Sequence, residues 1–270
     1  RKYKKWNKES QPWMASPLRE QIKKFQDSQV VEEFVTAIET KQIREIYWCG
    51  GEPLMWEMHW KAMERIIELG FADEVYVRYN TNLSRTSLGK SNLFDLLGYF
   101  NDYQICASID GTGQVGEYIR DGLNYEQWLR NFKEGLSVAT NPRQMRLDFT
   151  ITLLGLLELK NMFDLSQKLN TEILTKVMFT FSNDEILSPL SLPKELLHSI
   201  IDEALDYMEP IASNKQRALI DVLKNLKTRE CFTPTRQGKI RQLWIDKIRK
   251  QDITKILIKD KRMLEWWNGI

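Results

Sequence analysis

The chain has 270 residues, 42% of them hydrophobic and 28% charged, a balance that excludes global disorder. Its 39 basic and 37 acidic residues leave a net charge of +2, which excludes a protein that is polybasic or polyacidic as a whole. No run of about 18 apolar residues occurs, so no membrane-spanning helix is expected. Three scattered cysteines, Cys49, Cys106 and Cys231, argue against a secreted disulfide scaffold and suit a reducing, cytoplasmic compartment. With His59 and His198 the only histidines, a three-histidine zinc site is excluded. The chain opens on Arg1-Lys2-Tyr3-Lys4-Lys5-Trp6, basic and aromatic without the apolar core of a signal peptide, and reads as a fragment continuing from an upstream segment.

In chain order, residues 43–49 read as a first strand, rich in β-branched and aromatic side chains. Residues 57–69 follow as a helix, with Met58, Ala62, Ile66 and Leu69 on one face. Strands are expected at 74–79 and 103–109, and a helix over 125–138 with Trp128, Phe132 and Leu136 at four-residue steps. Residues 145–154 and 175–181 complete five strands. Recurrence roughly every 30 residues with helices between points to parallel βα units, as a full or partial barrel or a doubly wound sheet. Past Pro193 the strand signal fades. Residues 194–208 and 214–227 read as helices, and the basic segment 239–262 as mostly helical, ahead of Trp266-Trp267. The loop 182–191 marks the border, giving an α/β part over 1–192 and a helical extension over 193–270.

The strand ends carry polar signatures. Strand one runs into Gly50-Gly51-Glu52-Pro53-Leu54. The glycines permit positive φ and close approach of a ligand to backbone, and Glu52 adds a carboxylate suited to a cationic amine. A plain βα turn explains the same residues. Strand two runs into Asn80-Thr81-Asn82-Leu83-Ser84, able to line a mouth or simply to close an Asx turn. Strand three ends Ser108-Ile109-Asp110-Gly111, with Ser108 and Asp110 on one face, a pair suited to a hydroxyl-rich ligand. Arg120 follows, placed to clamp a carboxylate or merely to pair with Glu117.

Together, GGEPL at 50–54, NTN at 80–82, and SIDG at 108–111 followed by EYIR at 117–120 make residues 42–182 resemble the radical S-adenosylmethionine superfamily, closest to its twitch and SPASM groups. The resemblance implies a TIM-like partial (β/α)₆ barrel, here with its first strand missing, that binds S-adenosylmethionine across the strand ends. Gly50, Gly51 and Glu52 would hold the methionine amine. Ser108 and Arg120 would meet the carboxylate or ribose, with Asp110, Asn80 and Asn82 in the same mouth. It also implies a [4Fe–4S] cluster, an electron donor, and a 5′-deoxyadenosyl radical that abstracts hydrogen from a peptide, small-molecule or nucleic-acid substrate.

The family's CxxxCxxC cluster motif is absent from the chain. Cys49 and Cys106 read as buried strand residues, and Cys231 alone holds no cluster. Cluster ligands are therefore expected upstream, residues 1–11 lying just after the cluster loop, and this 270-residue chain is expected to be inactive by itself. The competing expectation is a barrel without a cluster that serves as a binding module, taking nucleic acid through Lys239, Arg241, Lys247 and neighbouring basic residues around Trp244. In a simpler reading that segment is a solvated helix with Ile245, Ile248 and Ile256 turned inward. Trp56, Trp60 and His198 read as packing or surface residues, and Glu57 and Glu64 as solvated.

Overall fold

The computed structural model describes residues 16–179 and 184–270. The opening residues 1–11, with their expected place beside a cluster loop, lie outside it. So do 180–183, which include the end of the fifth expected strand and the start of the border loop.

Helices α1 (Ser16–Phe25) and α2 (Val31–Glu39) lead into strand β1 (Glu45–Trp48). Then come α3 (Glu57–Glu68), β2 (Tyr76–Thr81), a small hairpin of β3 (Ser87–Leu88) and β4 (Ser91–Asn92), and α4 (Leu93–Leu97). β5 (Asp102–Ile109) is followed by α5 (Gly113–Ile119) and α6 (Tyr125–Val138), and β6 (Met145–Ile151) by α7 (Leu159–Lys168). After β7 (Glu172–Val177) the described chain is helical: α8 (Lys194–Met208), α9 (Arg217–Leu226), α10 (Arg236–Arg249), α11 (Thr254–Leu257) and α12 (Lys261–Gly269). Among the described residues no helix is long and apolar enough to cross a membrane.

The main sheet is parallel, in the order β1-β2-β5-β6-β7. Spatial order follows chain order with no reversal, so right-handed crossovers send successive helices to one side. The reversal that defines a doubly wound sheet is missing, and the described strands do not close into a barrel. Register then decides the two faces. Ile46, Val77, Tyr103, Ile105, Leu147 and Ile173 share the helix side and are buried. The alternate residues form the other side: Tyr47, Arg78, Asn80, Cys106, Ser108, Asp148 and Lys176, a polar surface partly open to solvent. The helices past Pro193 join the same apolar cluster, which runs from Ile38 to Trp267, and α9 packs along β7.

Several strand boundaries differ from the sequence reading, and the first strand is shorter than 43–49, running only over Glu45–Trp48. β2 extends through Asn80 and Thr81, because Asn80 and Thr81 ladder with Cys106 and Ala107. β6 stops at Ile151, where Thr152 turns the chain by accepting from the Gly155 N–H at 3.0 Å. β7 runs earlier than 175–181, since its register pairs Glu172 with Arg146 and Val177 with the last residue of β6.

His59 lies inside an aromatic nest on α3, with Trp48, Trp60 and Tyr79 edge-on around it, and its Nε2 is 2.8 Å from the Tyr79 hydroxyl. Burial holds its pKa down from the ordinary 6.5 to about 4. Between those values the unfolded chain binds a proton that the folded chain refuses. Stability is therefore full above pH 6.5 and falls as the pH drops toward 4. The loss is expected to reach roughly 3 kcal/mol. Urea titrations at pH 7.5 and pH 4.5 check it: His59→Gln should flatten this part of the pH dependence relative to the unmodified chain.

Candidate functional site

The polar loops lie at the C-terminal ends of adjacent parallel strands, where α/β folds bind ligands. After β1 the chain turns at Gly50, whose φ of +101° belongs to the region glycine alone enters freely. Gly51 lacks positive φ, and a methyl there would meet nothing within 4 Å. Both glycines are exposed. Glu52 caps the short turn Pro53–Met55 and reaches across to the next strand end. Its Oε1 accepts from the Thr81 hydroxyl at 2.6 Å and the Leu54 N–H at 3.3 Å, and its Oε2 from the Asn82 N–H at 2.7 Å. Glu52 is thus a brace between the first two loops.

Asn82 closes an Asx turn, its Oδ1 accepting from the Ser84 N–H at 2.9 Å. Leu83 is held at φ 49°, with the Thr81 hydroxyl accepting its N–H and the buried Asn131 of α6 donating to its carbonyl at 2.8 Å. Asn80 sits on the sheet's polar face, not in the loop, and its side chain has no hydrogen bond among the described residues.

The third loop is built on Asp110. Its Oδ1 accepts from the Thr150 N–H of β6 at 3.1 Å, and its Oδ2 lies 2.8 Å from Arg120 Nε. That contact is an ion pair without hydrogen-bond alignment, and the buried Nε has no aligned acceptor. Nη1 and Nη2 of Arg120 have no partner among the described residues, so the outer fork stays available to a carboxylate. The alternative Arg120–Glu117 pair does not form: Glu117 instead accepts from the Tyr125 N–H at 2.9 Å. Ser108 is 3.4 Å from Asp148, which also holds Lys176 at 2.7 Å. Two separate groups therefore form, Glu52–Thr81–Asn82 and Ser108–Asp148 beside Asp110–Arg120, on neighbouring strands, with no hydrogen bond between them among the described residues. From the β1 loop to the β6 end is three strand spacings, roughly 14 Å.

The cysteines do not converge. Cys49 lies one residue beyond β1 and is exposed, which corrects its reading as a buried strand residue: the ladder ends at the Trp48–Tyr79 pair. Cys106 is buried on β5, where desolvation, and next the charge of Asp148, push its thiol pKa up against Arg146, Arg78 and Lys176. Burial pushes Cys231 up as well. Among the described residues no group of three His, Cys, Asp or Glu meets to hold a metal ion.

Other side chains find structural work. Trp60 donates to the Leu54 carbonyl at 3.1 Å, Trp56 is exposed, and His198 bonds the Lys227 carbonyl at 2.9 Å. Glu57 is exposed beside Lys61, but Glu64 is not simply solvated, because it accepts from Ser91 of the hairpin. In the basic segment Lys239 bonds the Trp267 carbonyl, Arg241 pairs with Glu185, Lys259 with Glu158, and Arg262 with Asp260 and Glu203. Those bonds turn several of its charges into the fold. α10 buries Gly238, Gln242 and Asp246, while Ile245 and Ile248 are half-buried and Ile256, on α11, is buried.

Sequence reasoning missed Thr81, Asn131, Asp148 and Lys176. Asn131 had a signal, being polar on the Trp128–Phe132 stripe of α6. Asp148 had one too, alternating with Leu147 and Phe149 on β6.

No protein-family model matches the chain, and no curated protein matches it in sequence. The family resemblance accordingly stands on the loop motifs themselves.

Removing the Glu52 carboxylate strands a buried hydroxyl and two backbone N–H groups. Glu52→Ala is expected to cost about 2 kcal/mol in urea unfolding, whereas Glu57→Ala should stay within about 0.5 kcal/mol. In the native protein Cys49 should take up a maleimide well before Cys106, with Cys49→Ser abolishing the fast phase in a mass-spectrometric time course.

Proposed function

We propose that this chain binds S-adenosylmethionine across the ends of β1, β2 and β5, as a segment of a radical S-adenosylmethionine-type partial barrel. The observation that carries the reading is the Asp110–Arg120 pair. A carboxylate buried at a strand end turns one edge of a guanidinium inward and leaves the other edge for a ligand carboxylate. Three features support it. The sequential parallel strand order is that of a barrel wound in one sense. The polar sheet face carries Asn80 and Ser108 toward the same end. Gly50 and Gly51 leave the first loop open to backbone contact.

In this reading Arg120 takes the methionine carboxylate. The Gly50-Gly51 backbone takes the amine, beside Glu52. A carboxylate has about four acceptor positions, and protein donors use three on Glu52, so its direct share in binding is smaller than its bracing role. Ser108 and Asn80 meet the ribose hydroxyls.

The [4Fe–4S] cluster does not fit the described residues, whose thiols lie at an exposed loop, on the sheet face and in the helical region. No radical step follows from them. Hydrogen abstraction by a 5′-deoxyadenosyl radical is proposed only for a protein in which three thiolates are supplied from outside these residues. The dispersed cysteines favour a second reading, in which the same strand-end loops bind a nucleoside without radical chemistry.

Calorimetric titration of the full 270-residue chain with S-adenosylmethionine tests the common core. Saturable binding is expected. Arg120→Met should weaken it by about tenfold or more, for loss of a charged hydrogen bond. Gly51→Ala should fold normally yet bind more weakly, because its φ and its open surroundings tolerate a methyl that a ligand would not. Absence of binding at millimolar ligand would overturn the reading. Anaerobic iron–sulfur reconstitution followed by a 5′-deoxyadenosine assay separates the two versions, since product formation removes the second.

A further inference from the structure

We infer that the C-terminal helical segment is a positioning element of the ligand site, holding both ends of the Asp110–Arg120 segment through two polar anchors, one a buried cluster on α10 and the other the exposed Lys259 set against the buried Glu158. This rests on the reading that Asp110 and Arg120 serve a ligand.

The first anchor grips the end nearer Arg120. Tyr118, two residues before it, donates to Asp246 Oδ1 of α10 at 2.5 Å. Gln242 donates to the Tyr118 oxygen at 2.8 Å and to Asp246 Oδ1 at 2.9 Å, and Asp246 Oδ2 accepts from the Ile253 N–H at 2.7 Å. All three side chains are buried. Burial, and then the bond to Asp246, push the Tyr118 hydroxyl pKa far up, so it remains a donor.

The second anchor grips the end nearer Asp110. Glu158 is fully buried, and its Oε2 accepts from the Thr112 N–H at 2.8 Å and the Thr112 hydroxyl at 2.6 Å. Lys259, just past α11, lies 3.3 Å from Glu158 Oε1. Between the anchors α5 is seated on the loop so closely that a methyl on Gly116 would come within 2.1 Å of the Gly111 carbonyl oxygen. A segment held this way has little freedom to re-aim Arg120.

A buried carboxylate and a buried hydroxyl are costly unless bonded, and apolar packing would have joined helix to helix at less expense. α10 instead turns Gln242 and Asp246 inward and leaves Ile240 and Leu243 exposed. Directional bonds fix a position more tightly than apolar contact does, which is what a ligand-clamping segment requires.

The test uses the full chain and two mild variants, Tyr118→Phe and Lys259→Met, with His198→Phe as control. His198 tethers α8 to the Lys227 carbonyl, away from the clamp. Amide hydrogen exchange is followed by peptide, and affinity by titration with S-adenosylmethionine. Each clamp variant should speed exchange across residues 112–120 by about three- to tenfold, the worth of one hydrogen bond. It should weaken the ligand by a similar factor, with β2 and β6 as protected as before. Exchange no faster than in the control overturns the proposal. So does faster exchange with unchanged affinity, which would make the anchors structural only. If the unmodified chain binds no S-adenosylmethionine, the functional reading falls, while the exchange comparison still decides whether the anchors hold the segment.

Discussion

The two faces of the five-stranded sheet differ in kind, and the rest of the molecule follows from that difference. Side chains alternate along a strand, and the parallel register carries the alternation across all five strands. One set, including Val77, Ile105, Leu147 and Ile173, is buried on the helix side. The other set keeps Arg78, Asn80, Ser108 and Asp148 facing away from it. Had the strand order reversed, helices would have covered both sides, and a face of this polarity would have cost far more than the core returns.

At the sheet's C-terminal end, buried or half-buried acidic groups do the shaping. Glu52 ties the first loop to the second, Asp110 ties the third to β6, and Glu158 ties the third to the helical region. Each carboxylate accepts at least one backbone N–H and also meets a side chain, by a hydrogen bond or an ion pair. Desolvated oxygens then hold loop backbones, which lack regular ladders of their own, in one conformation. The left-handed Leu83 is an example, kept in place by Thr81 and Asn131.

The helices beyond Pro193 take part in this order. α9 lies along β7, the last strand of the sheet, and α10 supplies the acceptor for Tyr118. The basic character of this region is therefore only partly a surface property. Lys239, Lys259 and Arg262 spend their charge on internal carbonyls and carboxylates.

Much of the architecture was legible in the chain. Apolar spacing at three and four marked α3 and α6, β-branched runs marked the five strands, and the recurrence of strand and helix marked the parallel sheet. The glycines at 50–51 and the polar strand ends were legible as residue types able to meet a ligand. Their partners were not. Nothing local distinguishes a Glu52 that waits for an amine from one that braces Thr81, or an Arg120 that pairs with Glu117 from one that pairs with Asp110. Those choices depend on which strand lies alongside and in what register, and the segments involved are far apart in the polymer. Period and propensity act over a few residues and so are written locally. Hydrogen-bond partners across strands, and the reach of Asp246 back to Tyr118, exist only once packing has brought distant backbones within bonding distance.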